Sequence, residues 1–165
     1  MNASKLLATA MALDLEPIVY SLVKKDDGPR WSMKKAQSAV LWYRRFLFLT
    51  CLHPERLVVP TKEIDEVWHA HILDTKKYFD DCHNLCGKFI HHFPYLGLRG
   101  RQDEEQLNEA FFESLAMYEK YFNAIPVDVS SQYSSALCSS CSACGSYISP
   151  SRAKVANLTE RPTIQ

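Results

Sequence analysis

The residues of this chain that could do chemistry are concentrated between Pro60 and Gly100. Five of the six histidines and two of the six cysteines lie in this stretch, together with many carboxylates. Neutral imidazole is the commonest biological metal ligand, and a carboxylate can bind a metal or orient a histidine through its far nitrogen. The stretch therefore predicts a site for a divalent transition metal. A histidine and carboxylate set suits iron, and added cysteine favours zinc or copper.

The histidines divide between a predicted helix, from Thr61 to about Cys86, and a loop that carries His91 and His92. Asp65 and His69 are one helical turn apart, so their side chains can touch. His69 and His71 point about 160° apart on an ideal helix. Both could therefore bind one metal only if the helix were distorted, and we expect a site that pairs one of them with a loop histidine.

The apolar periodicity of the same helix places some candidates in the core. His71 and Cys82 lie near the middle of an arc that must be buried, and Phe79 lies on the same arc. Cys86 is one turn after Cys82 and could add a ligand. The candidate metal ligands, taken together, are Asp65, His69, His71, Cys82, His91 and His92.

A second group of residues could support these ligands by hydrogen bonds. Arg44 and Arg45 lie on a long apolar helix, as a solvated pair or with one guanidinium turned inward toward a carboxylate of the central stretch. The full group is Asp74, Tyr78, Arg44 and Arg45. No catalytic residue is identified, because no nucleophile elbow is present and a buried Cys82 with His71 would be inert.

Helical periodicity and end signals predict an all-α domain over residues 1–126, a single compact bundle of about five helices. The expected helices cover 3–13, a short segment from Pro17, 33–52, 61–86 and about 103–122. Ser32 and Thr61 are expected N-caps, and Gly87 is an expected helix stop.

Residues 127–165 have a different composition and predict a weakly structured tail rich in serine and cysteine. Cys138, Cys141 and Cys144 form a C-x-x-C-x-x-C pattern that lacks the fourth ligand of a ferredoxin or zinc-knuckle site. The pattern leaves open a soft-metal clamp, a redox pair, a modified tail or ordinary thiols.

Composition narrows the classes of partner and the location. The 19 basic and 19 acidic residues balance to a net charge of zero, which argues against a nucleic-acid partner. No apolar run has the length of a membrane span, and Asp14 interrupts the first one, which argues against a signal peptide. We therefore expect a cytoplasmic protein whose cysteines are thiols or metal ligands rather than disulfides.

Two motifs occur together and in order, W-H-x-H-I-L-D-T at Trp68–Thr75 and H-H-F-P-Y at His91–Tyr95. With matching positions over about residues 13–122, the chain resembles the glycine-rich domain-containing protein-like family, a domain of uncharacterised function. The resemblance implies one functional unit formed by Trp68, His69, His71, Asp74, His91 and His92. It implies no particular metal or activity.

Two classes of function follow. The first is a metal-binding domain that could be a metal-dependent enzyme, with Asp65 or Asp74 as ligand, supporting group or base. The second is a non-catalytic interaction module, in which the histidine motifs are structural and the tail recruits a protein or peptide partner or a soft metal. The sequence leaves both open.

Overall fold

The structure, a computed structural model, describes residues 2–24, 29–129 and 158–162. These residues form six α-helices of nine residues or more, a short helical turn at 127–129, and no β-strand. The all-α prediction is confirmed for this part of the chain. The helices are α1 Ala3–Met11, α2 Glu16–Lys24, α3 Met33–Leu52, α4 Lys62–Leu73, α5 Thr75–Cys86 and α6 Arg101–Phe122.

The predicted caps lie at the starts of α3 and α4 and at the end of α5. The Ser32 hydroxyl accepts a hydrogen bond from the Lys35 backbone N–H, and Thr61 accepts one from Ile64 at the start of α4. Each cap satisfies a backbone donor that the first helical turn leaves without a partner. Gly87 ends α5 at φ +70°, a left-handed conformation that favours glycine.

The prediction of one continuous helix from Thr61 to Cys86 is wrong, because the helix is interrupted at Asp74. Asp74 has a non-helical backbone (φ −84°, ψ 72°), and its carboxylate caps α5 by accepting from the Lys77 N–H. An aspartate favours such a cap over a helix interior. The break changes the direction of the later side chains, and Phe79, which was predicted to be buried, is 52% exposed.

The described residues fall into two compact units, and the first contains the chain up to Arg56 together with Pro60–His92. Its centre is α3, which packs against α1, α2 and α4. α3 can pack on several sides because its buried residues surround much of the helix: Ala36, Ala39, Val40, Trp42, Tyr43, Phe46, Leu47, Phe48 and Leu49. Burial of this apolar surface is the main stabilising contribution to the unit.

The second unit contains Leu57–Val59 and the described residues from Phe93 onward, including α6. The buried Asp103 carboxylate organises its first loop by accepting hydrogen bonds from the backbone N–H groups of Gly97 and Arg99. It also pairs with the Arg99 guanidinium. The predicted domain boundary at residue 126 stays a prediction.

Cys51 at the end of α3 and Cys86 at the end of α5 form a disulfide, with their Cα atoms 5.3 Å apart. The expectation that the cysteines are thiols or metal ligands is therefore wrong for this pair. It came from the predicted cytoplasmic location, whereas the pairing depends on how α3 and α5 approach each other. Cys138, Cys141 and Cys144 lie outside the described residues.

None of the helices in the described ranges has, by itself, the length and apolar content needed to cross a membrane. α1 and α2, which are bent by 45° relative to each other, meet these criteria only when they are taken as a pair.

Candidate metal centre

Asp65, His69 and His92 form a cluster in which one potential ligand atom from each residue lies within 4.8 Å of the others. The Nε2 atom of His92 is 2.9 Å from Oδ1 of Asp65. The Nδ1 atom of His69 is 3.7 Å from Oδ2 of the same carboxylate. The Asp65 carboxylate thus lies between two imidazole rings, whose centroids are 4.6 Å apart.

Two members of the cluster are placed by the geometry of α4 alone. Asp65 and His69 are four residues apart on this helix, and side chains with that spacing lie on the same face. Thr61 caps the helix just before Asp65, so the carboxylate is in the first turn, where the helix dipole favours negative charge. Both side chains are accessible, with 34% of Asp65 and 53% of His69 exposed.

His92 reaches the cluster from the loop that follows α5, and the Tyr78 hydroxyl holds that loop. This hydroxyl accepts a hydrogen bond from Trp68 Nε1 at 2.8 Å and donates one to the Ile90 carbonyl at 2.5 Å. Burial raises the pKa of Tyr78 far above its ordinary value, so the hydroxyl keeps the proton that it donates. The Trp68 ring then packs against the His92 ring, with 4.5 Å between centroids.

The cluster has the donor set and the approximate dimensions of a metal site. Nitrogen and oxygen ligands bind zinc or iron at about 2.0–2.2 Å, which places neighbouring ligand atoms about 3.0–3.5 Å apart. The two contacts of Asp65, at 2.9 Å through Oδ1 and 3.7 Å through Oδ2, lie close to that range, and one ligand atom from each of the three residues lies within 4.8 Å of the others. Two histidines and one carboxylate are also a known ligand set for divalent iron. The His/Asp cluster could therefore hold a metal ion.

The structure places His71 elsewhere, in the core of the first unit. Its ring is fully buried, with Nδ1 2.9 Å from the Tyr43 hydroxyl and Nε2 3.1 Å from Oδ2 of Asp81. Burial lowers the pKa of His71, and the Asp81 carboxylate only partly opposes this effect. Nε2 lies near the Asp81 carboxylate without forming a well-aligned hydrogen bond, whereas Nδ1 shares a hydrogen bond with the Tyr43 hydroxyl. Both ring nitrogens thus face protein groups.

Cys82 is also buried and lies outside the cluster, with 3% of its surface exposed. Burial raises the pKa of its thiol, which favours the neutral form over the thiolate that binds metals or attacks a substrate. Cys86, its neighbour one turn later, is bonded to Cys51.

The other candidates occupy separate positions. His91 is exposed and packs against Phe89, with 5.0 Å between the ring centroids. Arg44 donates to the Leu13 carbonyl, and the Arg45 guanidinium lies over the Trp42 ring. Asp74 caps α5. The structure therefore joins Asp65, His69 and His92 at one site, whereas Tyr78 supports that site from the core side.

Two features of the site were missed by sequence reasoning. The Ile90 carbonyl anchors the histidine loop, and the Cys51–Cys86 disulfide fastens the helix that precedes it. A backbone acceptor has no residue signature, and two cysteines 35 residues apart do not reveal their pairing. The D-T pair at Asp74–Thr75 did carry a signal, because aspartate followed by a helical segment is an N-cap pattern.

Similarity to known proteins was found in sequence but not among solved structures. The chain is 34% identical over 90 residues to glycine-rich domain-containing protein 1 of Arabidopsis thaliana, and 32% identical over 90 residues to glycine-rich domain-containing protein 2 of the same plant. Each match covers 52% of this chain and 11% of the relative, so the chain spans about a tenth of the length of these relatives. No solved structure matches the chain.

A family model described as UCP032817-like matches residues 12–121, which include α2 to α5 and all of α6 except its last residue, whereas α1 lies before the matched range. The matched range contains Asp65, His69 and His92, together with Trp68 and Tyr78 that support them. The relatives bear out the resemblance to glycine-rich domain-containing proteins that the two histidine motifs predict. The chain belongs to the UCP032817-like family.

Proposed function

We propose that this protein binds a divalent transition-metal ion through Asp65, His69 and His92. The observation that carries the proposal is the position of one carboxylate between two imidazoles from separate segments, with 2.9 Å and 3.7 Å contacts. A metal ion would replace these contacts with coordination bonds from the same atoms.

The surroundings of the cluster favour an open metal site. Three protein ligands leave coordination positions for water or substrate, which is the arrangement that catalytic metals use. His92 is 16% exposed and packs on Trp68, whereas His69 is 53% exposed. The Trp68 ring therefore covers the site on the side of His92, and the side of His69 is open to a ligand from solvent.

This geometry supports a metal-dependent enzyme as the finer form of the proposal. A bound divalent ion would supply Lewis-acid activation of a water or of a substrate oxygen. The chain itself would contribute the ligands and their orientation. Asp74 has no part as a base in this proposal, because its carboxylate caps α5. Iron and zinc fit the histidine and carboxylate donors, whereas the geometry gives Cys82 no role that would favour copper.

One observation favours a second candidate, a non-catalytic module in which the histidines are structural. The Asp65–His92 hydrogen bond and the Trp68–His92 contact already connect the loop to α4 without a metal. In this case the loop is held by the pair itself, and a tail carrying Cys138, Cys141 and Cys144 would recruit a partner.

Metal content distinguishes the two candidates. Untagged protein, purified without oxygen or chelators, is analysed for metal per chain by mass spectrometry and then titrated with Fe(II) and Zn(II). The proposal expects one ion per chain, lost in His69→Ala and His92→Ala. His91→Ala is the matched control, because His91 is the exposed neighbour of His92 and packs against Phe89.

The tail requires its own control, since three thiols could also capture metal. A variant with Cys138, Cys141 and Cys144 changed to serine should keep the ion at full stoichiometry. Folded protein that binds neither ion with micromolar affinity would contradict the metal proposal. Metal lost with the tail thiols but kept in His69→Ala would also contradict it.

A further inference from the structure

The three ligands of the proposed metal site come from two segments that are held in different ways. Asp65 and His69 share one face of α4 and keep their spacing as long as that helix exists. His92 comes from the loop after α5, and its distance to Asp65 depends on where that loop is anchored. The loop therefore decides whether the site has two ligands or three.

Two attachments fix the loop to the first unit. One is the hydrogen bond from the Tyr78 hydroxyl to the Ile90 carbonyl, two residues before His92. The other is the disulfide of Cys86, the last residue of α5, to Cys51 at the end of α3. Gly87 is the residue after Cys86 and has a left-handed conformation. The loop therefore leaves α5 directly after the residue that is bonded to α3.

We propose that the Cys51–Cys86 disulfide is a redox switch for the affinity of the Asp65–His69–His92 site for metal. The inference rests on the proposed metal-binding function. In the disulfide state the end of α5 is fixed and His92 is delivered to Asp65. In the dithiol state the last turn of α5 is no longer bonded to α3, and the loop keeps the Tyr78 hydrogen bond and the contacts of His92 with Asp65 and Trp68.

The switching reaction is thiol–disulfide exchange with a dithiol reductant. A thiolate of the reductant attacks one sulfur of the pair, and the other sulfur leaves as a thiolate that takes up a proton. The second thiol of the reductant then releases the remaining cysteine. Cys51 and Cys86 gain two electrons and two protons in total, and the dithiol loses the same number as it becomes a disulfide.

The exposure of the three cysteines in the first unit fits this assignment. Cys51 and Cys86 are half-buried, so neither residue is fully enclosed in the core. Cys82, one turn before Cys86, is buried, and burial raises the pKa of its thiol. Cys82 is therefore a poor competitor for exchange with the pair.

The first test measures zinc affinity by competition with a chromophoric chelator, in the oxidised protein and after reduction with a phosphine. We expect the reduced protein to bind zinc roughly tenfold more weakly or worse, as is typical when support for a ligand is lost. A double variant, Cys51→Ser with Cys86→Ser, should match the reduced protein, which excludes zinc capture by the freed thiols. In His92→Ala the residual affinity should be the same in both redox states.

The second test follows the equilibrium between disulfide and dithiol in a redox buffer with and without bound zinc. Zinc should shift this equilibrium toward the disulfide in the wild-type protein and have no effect in His92→Ala, because zinc binding and disulfide formation are coupled reciprocally at equilibrium. Equal zinc affinities in the two redox states, or an equal disulfide fraction with and without zinc, would overturn the switch and leave the metal proposal intact. Failure of the oxidised protein to bind any metal would overturn both.

Discussion

The indole Nε1 of Trp68 donates a 2.8 Å hydrogen bond to the hydroxyl of Tyr78, and this bond joins α4 to α5 across the break at Asp74. The same hydroxyl donates to the Ile90 carbonyl, while the face of Trp68 contacts His92. One buried oxygen therefore connects two helices and the loop that supplies His92. The arrangement explains why the tryptophan of the W-H-x-H motif lies next to a candidate ligand without being one.

Replacing Tyr78 with phenylalanine removes this connection and keeps the ring. The Trp68 N–H and the Ile90 carbonyl then lose their common partner, and we expect the free energy of unfolding to fall by about 1–3 kcal/mol. Metal affinity should fall as well, because the hydrogen bond that anchors the loop two residues before His92 is lost. Urea unfolding and metal titration measure the two effects. Tyr20→Phe, at a side chain that is 68% exposed, is the control and should change neither.

The two histidines of the W-H-x-H motif should separate stability from metal binding. His71→Ala leaves a cavity and deprives the buried Tyr43 hydroxyl of its partner, so we expect a loss of about 2–4 kcal/mol in unfolding free energy with metal content unchanged. His69→Ala, at an exposed position, should abolish metal binding and change stability by less than about 1 kcal/mol. Metal loss in folded His71→Ala would contradict this assignment.

Reduction of the Cys51–Cys86 disulfide should lower stability even without a metal. The bond closes a loop of 35 residues, and a crosslink of that span stabilises a protein by about 2–4 kcal/mol through the unfolded state. The measurement is urea unfolding with and without a phosphine reductant. The same reductant should leave the stability of the Cys51→Ser, Cys86→Ser double variant unchanged, and a similar loss in that variant would assign the effect to another disulfide.

Asp74→Ala tests the break in the central stretch. The change removes the side-chain cap from the first turn of α5, which should cost about 1 kcal/mol of unfolding free energy. Asp74→Asn and Asp74→Ser should recover most of it, since both side chains can accept from the Lys77 N–H. An alanine variant as stable as the wild type would show that the break does not depend on the cap.

The second unit should lose stability in acid through Asp103. The Arg99 guanidinium, with the N–H groups of Arg99 and Gly97, lowers the pKa of this carboxyl in the folded protein despite its burial. A carboxyl with a lowered folded pKa stabilises the fold above its unfolded pKa of about 3.9, and the contribution is lost as pH falls through the folded value. Comparing Asp103→Asn with the wild type should therefore show a stability difference at pH 7 that shrinks below about pH 4.

Much of the site could be predicted from local spacing. The turn between Asp65 and His69, the burial of His71 and Cys82, and the caps at Thr61 and Gly87 all depend on residues within one or two helical turns. Such positions follow from the helical repeat of about 3.6 residues, and the order of the residues is enough to apply that repeat. The sequence also showed that one helix cannot direct His69 and His71 to the same place.

Only the tertiary structure decided which distant residues meet. It placed His92 rather than His91 beside Asp65, 27 residues away along the chain, and it joined Cys51 to Cys86 over 35 residues. These contacts depend on how α3, α4 and α5 pack and on the loop that Tyr78 holds. No local pattern encodes the distance between two helices, because that distance results from the fit of many buried side chains at once.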